Sequence, residues 1–188
     1  MVYSKRHMIK VPSDITVYYC NKKQALLIKG ALGYKILKVQ MKIELFDSNK
    51  LINITNLCSK KLSNKKTLRS LRGTTVSLIR QTFLEISTPF YKKLNLVGVG
   101  YKVFIIKNAT VNLVHFKLGY SHSIYFKIPH SVFIKCHKTT KLFISSNNFN
   151  YVSQIAALLR SYKIPEPYKG KGILYSNENI KLKEGKKI

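Results

Sequence analysis

A change of hydrophobic period, made twice in the same order, constrains this chain more than any other feature. Runs with two-residue alternation come first, then one segment with helical spacing, and a proline closes the segment. Ile15–Tyr19 reads as a strand, Asn21-Lys22-Lys23 as a turn, and Ala25–Lys29 as the returning strand of a hairpin. Tyr34–Val39, Lys42–Phe46 and Lys50–Ile54 alternate again, the last two flanking the turn Asp47-Ser48-Asn49. Leu68, Leu71, Thr75, Leu78, Ile79, Thr82 and Ile86 then recur at helical spacing, which predicts a helix over Lys66–Ile86 stopped by Pro89. Gly73 lies inside that helix, where glycine costs ~1 kcal/mol against alanine.

The second half follows the same plan. Strands are expected at Leu94–Val97, Tyr101–Ile106, Val111–Lys117, Ser123–Ile128, Val132–Lys135 and Lys141–Ser145. Asn148 is a good N-cap for a helix whose inner face is Phe149, Val152, Ile155, Ala156, Leu159 and Tyr162, with Pro165 as its stop. Shifting Ile15–Tyr34 by 86 positions onto Tyr101–Tyr120 matches five of twenty residues, including Leu32-Gly33-Tyr34 with Leu118-Gly119-Tyr120. Leu78-Ile79-Arg80 answers to Leu158-Leu159-Arg160. The expectation is an α+β fold of two duplicated small domains, each an antiparallel sheet packed on one helix. The boundaries are 1–87, 88–175 and a basic tail at 176–188, with Tyr34 and Tyr120 in equivalent places.

Charge narrows the function. The 188 residues carry 34 Lys+Arg against 7 Asp+Glu, a formal net charge of +27. Such a chain repels itself unless a polyanion is its partner, and nucleic acid gains affinity by releasing counterions. The basic residues fall mostly in strands and loops rather than on an amphipathic helix, which argues against a membrane surface. No apolar run is long enough to insert into a membrane, and the N-terminus lacks an apolar signal core. Cys20, Cys58 and Cys136 are few and widely spaced, as in a reducing compartment. The bias towards Lys, Asn, Ile, Tyr and Phe reflects AT-rich codons.

Catalytic and cofactor patterns are weak. Gly98-Val99-Gly100 has Val103 at the third glycine position of a dinucleotide fingerprint and no helix after it. Gly170-Lys171-Gly172 lacks the Ser/Thr and the helix of a phosphate-binding P-loop. His115, His122, His130 and His137 are spaced seven or eight apart on strands, which does not assemble a tetrahedral metal site. No enzyme, cofactor or metal is expected.

Tyr162–Ile173, YKIPEPYKGKGI, is the most informative stretch. Pro165 and Pro167 keep it extended, and Gly170 and Gly172 let backbone approach another surface. Lys163, Lys169 and Lys171 supply charge, while Tyr162 and Tyr168 offer faces for unpaired bases. The stretch reads as a docking loop separable from the fold, so a chain cut after Ile164 is expected to stay folded.

Pro165–Ile173 resembles the signature of the bacterial-type large-subunit ribosomal protein six family. Leu96-Val97-Gly98-Val99-Gly100-Tyr101-Lys102 resembles the start of that family's second domain, and Leu118-Gly119-Tyr120-Ser121-His122 its next motif. Gln154-Ile155-Ala156-Ala157 with Arg160 and Tyr162 matches the helix before the signature. Val11-Pro12, Lys29-Gly30 and Gly73 with Leu78-Ile79 extend the resemblance into the first half, where Arg72 and Pro89 depart from the family's His and Gly.

The resemblance implies a structural, non-catalytic protein of the large ribosomal subunit. It implies binding to large-subunit rRNA, mainly through the second domain, near the sarcin–ricin loop and the translation-factor landing site. Expected partners are that rRNA, neighbouring large-subunit proteins and, transiently, translation factors. Expected rRNA contacts are Lys92, Lys93, Tyr101, Lys102, Tyr120, Ser121 and His122 from the sheets, and Arg160, Tyr162, Lys163, Tyr168, Lys169, Gly170, Lys171 and Gly172 from the helix end and signature. Lys181, Lys183, Lys186 and Lys187 of the tail complete the set. The rival is a free RNA-binding or RNA-processing protein outside the ribosome. Codon bias and basicity favour a mitochondrial ribosome, with a plastid-type organelle or an AT-rich bacterial cytoplasm as alternatives.

Overall fold

The computed structural model describes residues 8–46, 50–58, 64–107 and 112–185. The chain divides into two compact units, Met1–Thr88 and Pro89–Ile188.

In the first unit, β1 (Met8–Lys10), β6 (Leu51–Cys58) and β5 (Met41–Phe46) form one antiparallel sheet in the order β1-β6-β5. A second sheet is the meander β2 (Thr16–Cys20), β3 (Ala25–Gly30) and β4 (Gly33–Lys38). Alternation buries Leu26 and Ile28 of β3, Met41 and Ile43 of β5, and Ile52 and Ile54 of β6. They meet Val76, Ile79, Phe83 and Ile86 of the 23-residue helix α1 (Lys65–Ser87). A Cβ at Gly30 would lie 2.4 Å from Ile86 Cγ2, so glycine is what lets β3 meet the end of α1. The Leu32 amide donates to the Ile86 carbonyl at 3.1 Å, tying the β3–β4 turn to the same helix end.

The second unit repeats this connectivity. Strand β7 (Phe90–Val97) joins β12 (Lys141–Ser146) and β11 (Phe133–Lys138) in the order β11-β12-β7, and β8 (Lys102–Lys107), β9 (Asn112–Lys117) and β10 (Ile124–Lys127) form the meander. Helix α2 (Phe149–Ser161) is capped by the Asn148 side chain, which accepts from the Asn150 amide at 3.0 Å. It buries Val152, Ile155, Ala156 and Leu159 against Leu94, Leu142 and Ile144. One strand, β13 (Gly172–Tyr175), has no counterpart among the described residues of the first unit and pairs antiparallel with the free edge of β7.

The α+β class and the helices agree with the sequence reading, and four details differ. Each unit holds two small sheets instead of one, because the first strand skips the meander and pairs with the sixth. The inner stripe of α1 includes Val76 and Phe83, while Leu78 is 49% exposed; Leu158, its partner in the repeat, is exposed too. Tyr34 and Tyr120 have different local surroundings: Tyr34 is paired within β4, whereas Tyr120 precedes β10 in a loop. Strands β1 and β13 were not anticipated, the first for its three residues and the second because prolines and glycines mask it. The Asp47–Asn49 turn lies outside the described residues.

Strand β13 also overturns the expectation that the chain can end at Ile164. Ile173 is fully buried, and Gly172 pairs with Val97. The segment is fastened again beyond β13, where the Arg160 guanidinium donates to both carboxylate oxygens of Glu178 (Nε to Oε2 at 3.0 Å). The Tyr175 amide also donates to Glu178. Arg160 holds the Glu178 carboxyl below the ordinary carboxylate range, and Glu178 in turn raises Arg160.

In the first unit, Lys35 bonds Glu85, a carboxylate only 3% exposed that also accepts from Gln81. Lys35→Met removes one charged partner of that buried carboxylate, and should weaken the first unit by about 1.5–3 kcal/mol. Hydrogen exchange would show faster exchange at β3 amides with β12 amides unchanged. In the second unit, a lowered folded pKa means that the contribution of Glu178 is complete above the ordinary glutamate value of about 4.3. It is lost as the pH falls below that value towards the folded one. Protection of β13 amides should therefore drop in acid, and Glu178→Gln should flatten that dependence.

Candidate nucleic-acid interface

The end of α2 and the strand β13 frame the segment that the sequence singles out. Tyr162 caps α2. Beyond it the backbone closes on itself: Glu166 donates to the Lys171 carbonyl, Gly170 to the Glu166 carbonyl, and Ile173 to the Lys163 carbonyl, each at 2.9 Å. Gly170 has φ +66°, the left-handed turn such a closure needs. A Cβ at Gly172 would lie 2.6 Å from Pro165 Cα, so this glycine serves internal backbone packing. The tail returns to the loop, with the Lys183 amide donating to the Pro167 carbonyl at 2.9 Å. Leu182 lies against Gly170, 3.4 Å from where its Cβ would stand, so the tail backbone runs along the loop. Lys186 and Lys187 lie outside the described residues.

Against this loop opens a cleft of about 490 Å³ lined by Tyr101, Tyr120, Ser161, Tyr162, Lys163, Ile164, Glu166 and Lys171. Tyr101 is fixed by two glycines: Cβ atoms at Gly98 and Gly119 would lie 2.7 and 3.2 Å from its ring. Both glycines have positive φ, +151° and +73°. The Gly98-Val99-Gly100-Tyr101 and Leu118-Gly119-Tyr120 motifs are thus one packing unit. The Tyr120 hydroxyl donates to the Tyr162 carbonyl at 3.0 Å, and Lys163 Nζ stands 4.2 Å from the centre of the Tyr120 ring. His122 stacks on the same ring at 5.6 Å. Tyr162 meets Phe116 edge-on, and burial raises its hydroxyl pKa.

A second cleft, about 420 Å³, is lined by Tyr91, Lys92, Lys93, Tyr175, Ser176 and Asn177. Lys92 Nζ and the Arg160 guanidinium lie 5.0 and 5.7 Å from the Tyr175 ring centre, and Lys93 sits over Tyr91 and Phe143. Both clefts combine cations, tyrosine rings and open space, the chemistry that takes phosphates and unpaired bases.

The fold brings together most of the residues singled out in the second half. Tyr101, Tyr120, Tyr162, Lys163 and Lys171 line the first cleft, while Lys92 and Lys93 line the second. Ser121 and His122 lie at the rim beside Tyr120, and Lys169 and the 54%-exposed Tyr168 stand out from the loop. Lys102 opens β8, opposite Lys117. Arg160 is internally paired with Glu178, so its charge already has a partner. Sequence reasoning missed Tyr175 and Asn177, which only the pairing of β13 with β7 brings beside Lys92, and it missed Tyr91, the neighbour of Lys92 on β7 itself. Among the described residues, no three His, Cys, Asp or Glu side chains gather to hold a metal, and no helix is long and apolar enough to cross a membrane.

Residues 97–176, which include every residue lining the first cleft, match the family described as Ribosomal protein L6. Similarity to known proteins extends further. The large ribosomal subunit protein uL6 of Mycoplasma capricolum is 39% identical over 181 residues, covering 95% of this chain and 94% of that protein. The uL6 of Paramagnetospirillum magneticum is 36% identical and covers 97% of both chains, and that of Cellvibrio japonicus is 35% identical over 95% of both. The duplicated connectivity, the glycine-framed Tyr101 and the proline–glycine signature therefore sit in a chain aligned with these relatives almost from end to end, and it belongs to the ribosomal protein L6 family.

Proposed function

We propose that this chain is a structural constituent of the large ribosomal subunit, binding large-subunit rRNA near the sarcin–ricin loop and the region where translation factors dock. The observation that carries the reading is the tyrosine–lysine cleft at the signature segment, in a chain with a net charge of +27. Relatives named as large-subunit proteins along its whole length support it. The second unit makes the main contact, through the two clefts and the Lys169, Lys171, Lys181 and Lys183 group. Phosphates are taken by the lysines and unpaired bases by exposed rings such as Tyr168. The role is to tie rRNA segments together, with neighbouring ribosomal proteins as further partners. No step of chemistry is assigned to it.

The compartment proposed is a mitochondrial ribosome, on the AT-rich residue bias and the excess of lysine. The relatives named above are bacterial and favour the alternative, the cytoplasm of an AT-rich bacterium. The genome that encodes the chain decides between them.

Association is tested by sedimenting a lysate. The protein should travel with large-subunit particles and leave them only at high salt, since each phosphate contact contributes roughly −0.7 to −0.9 to the log–log salt slope. A free pool at physiological salt exceeding the bound one would overturn the reading. Two substitutions then separate stacking from charge. Tyr168→Ala should cost ~1–3 kcal/mol of binding with the salt slope unchanged, whereas Lys169→Ala should reduce the slope by about one.

A further inference from the structure

The meander β8-β9-β10 turns one face into the core through Val103, Val114 and Phe116. Its opposite face carries an aromatic row that the clefts do not use. Phe104, His115 and Tyr125 come one from each strand and stand directly across from one another in the register. Their rings form a column: Phe104 to His115 is 6.2 Å with 26° between planes, and His115 to Tyr125 is 4.9 Å with 15°. His115 Nε2 is buried and makes no hydrogen bond among the described residues, while the ring stacks between Phe104 and Tyr125.

A cross-strand aromatic row stabilises a sheet by itself, and that would be its whole role if it were covered. It is not covered: Tyr125 is 58% and Phe104 39% exposed, and both flanking strands are edges of the meander. The rows on either side supply cations. Two residues along in one direction the face presents Lys102 beside Lys117, and in the other Ile106 and Leu113 beside Lys127. The three strands carry no acidic residue. A protein partner would bury these lysines at a desolvation cost, whereas a nucleic-acid strand matches both features at once.

We propose that this sheet face is a second RNA-binding surface, on which an unpaired nucleobase continues the ring column at Tyr125 while Lys117 and Lys127 hold the flanking phosphates. It rests on the reading of the chain as an rRNA-binding subunit protein, and it adds a face separate from the clefts around the signature segment. Every base has a π-face, so the surface selects an unpaired nucleotide and not a sequence.

The test is ultraviolet cross-linking of large subunits containing the full-length chain, with the joined peptides and nucleotides read by mass spectrometry. Expected is a nucleotide attached within 124–127 or 102–107. It should be lost in Tyr125→Ala and retained in Tyr125→Phe, with subunit incorporation and the cross-links of the signature segment unchanged in both. If the signature segment cross-links to rRNA while the meander does not, this inference falls and the proposed function stands. A cross-link from the meander to a neighbouring protein would assign the face to a protein partner and overturn the inference. If the chain is absent from subunits altogether, both readings fall together.

Discussion

The pairing of β13 with β7 is the constraint on which the rest of the second unit depends. Strand β7 is central, bonded to β12 on one side and β13 on the other. A chain leaving α2 through two prolines would otherwise be a solvated loop. Instead Ile173 is driven into the core, and Gly172 packs against Pro165 where no side chain fits. Burying one isoleucine stabilises by roughly 1.5–3 kcal/mol, and the ladder to β7 adds satisfied backbone bonds. That anchorage turns residues 162–171 from a flexible arm into the fixed wall of a cleft. A preformed wall loses less entropy when RNA docks than a mobile loop would.

The same economy of design runs through the duplicated architecture. Both units use a meander and a sheet in which the first strand returns to pair with the sixth, all packed on one helix. The second unit differs by closing its free sheet edge with β13, and that added strand creates the cleft beside Lys92 and Tyr175. An edge left open is a template for unwanted pairing, so covering it protects the unit as well as shaping the site.

Charge sets the terms on which these surfaces work. Among the described residues two carboxylates form ion pairs: Glu85 holds Lys35 against the first unit's helix, and Glu178 holds Arg160 at the end of the second. Most lysines have no acidic counterpart and face outward, a costly arrangement for a free protein and a favourable one beside phosphates. Tyrosines accompany the lysines at both clefts, so charge and stacking are offered together.

Much was legible in the sequence. The change from two-residue to helical period located both helices, because a buried stripe has to recur with the geometry of the element that carries it. The motifs holding Gly98 and Tyr101, and Gly119 and Tyr120, were legible one by one through the family resemblance, and the structure joined them around the Tyr101 ring. Other features depended on contacts between residues far apart in the chain, which periodicity does not encode. Exchange of strands between two sheets, the burial of Ile173 in a segment that reads as loop, and the alignment of Phe104, His115 and Tyr125 into one column are all of this kind. Residue types and spacing determined both helices, most of the strands, the basic character and the family resemblance. Strand pairing in the tertiary structure decided which rings stand together, and which lysines stand beside them.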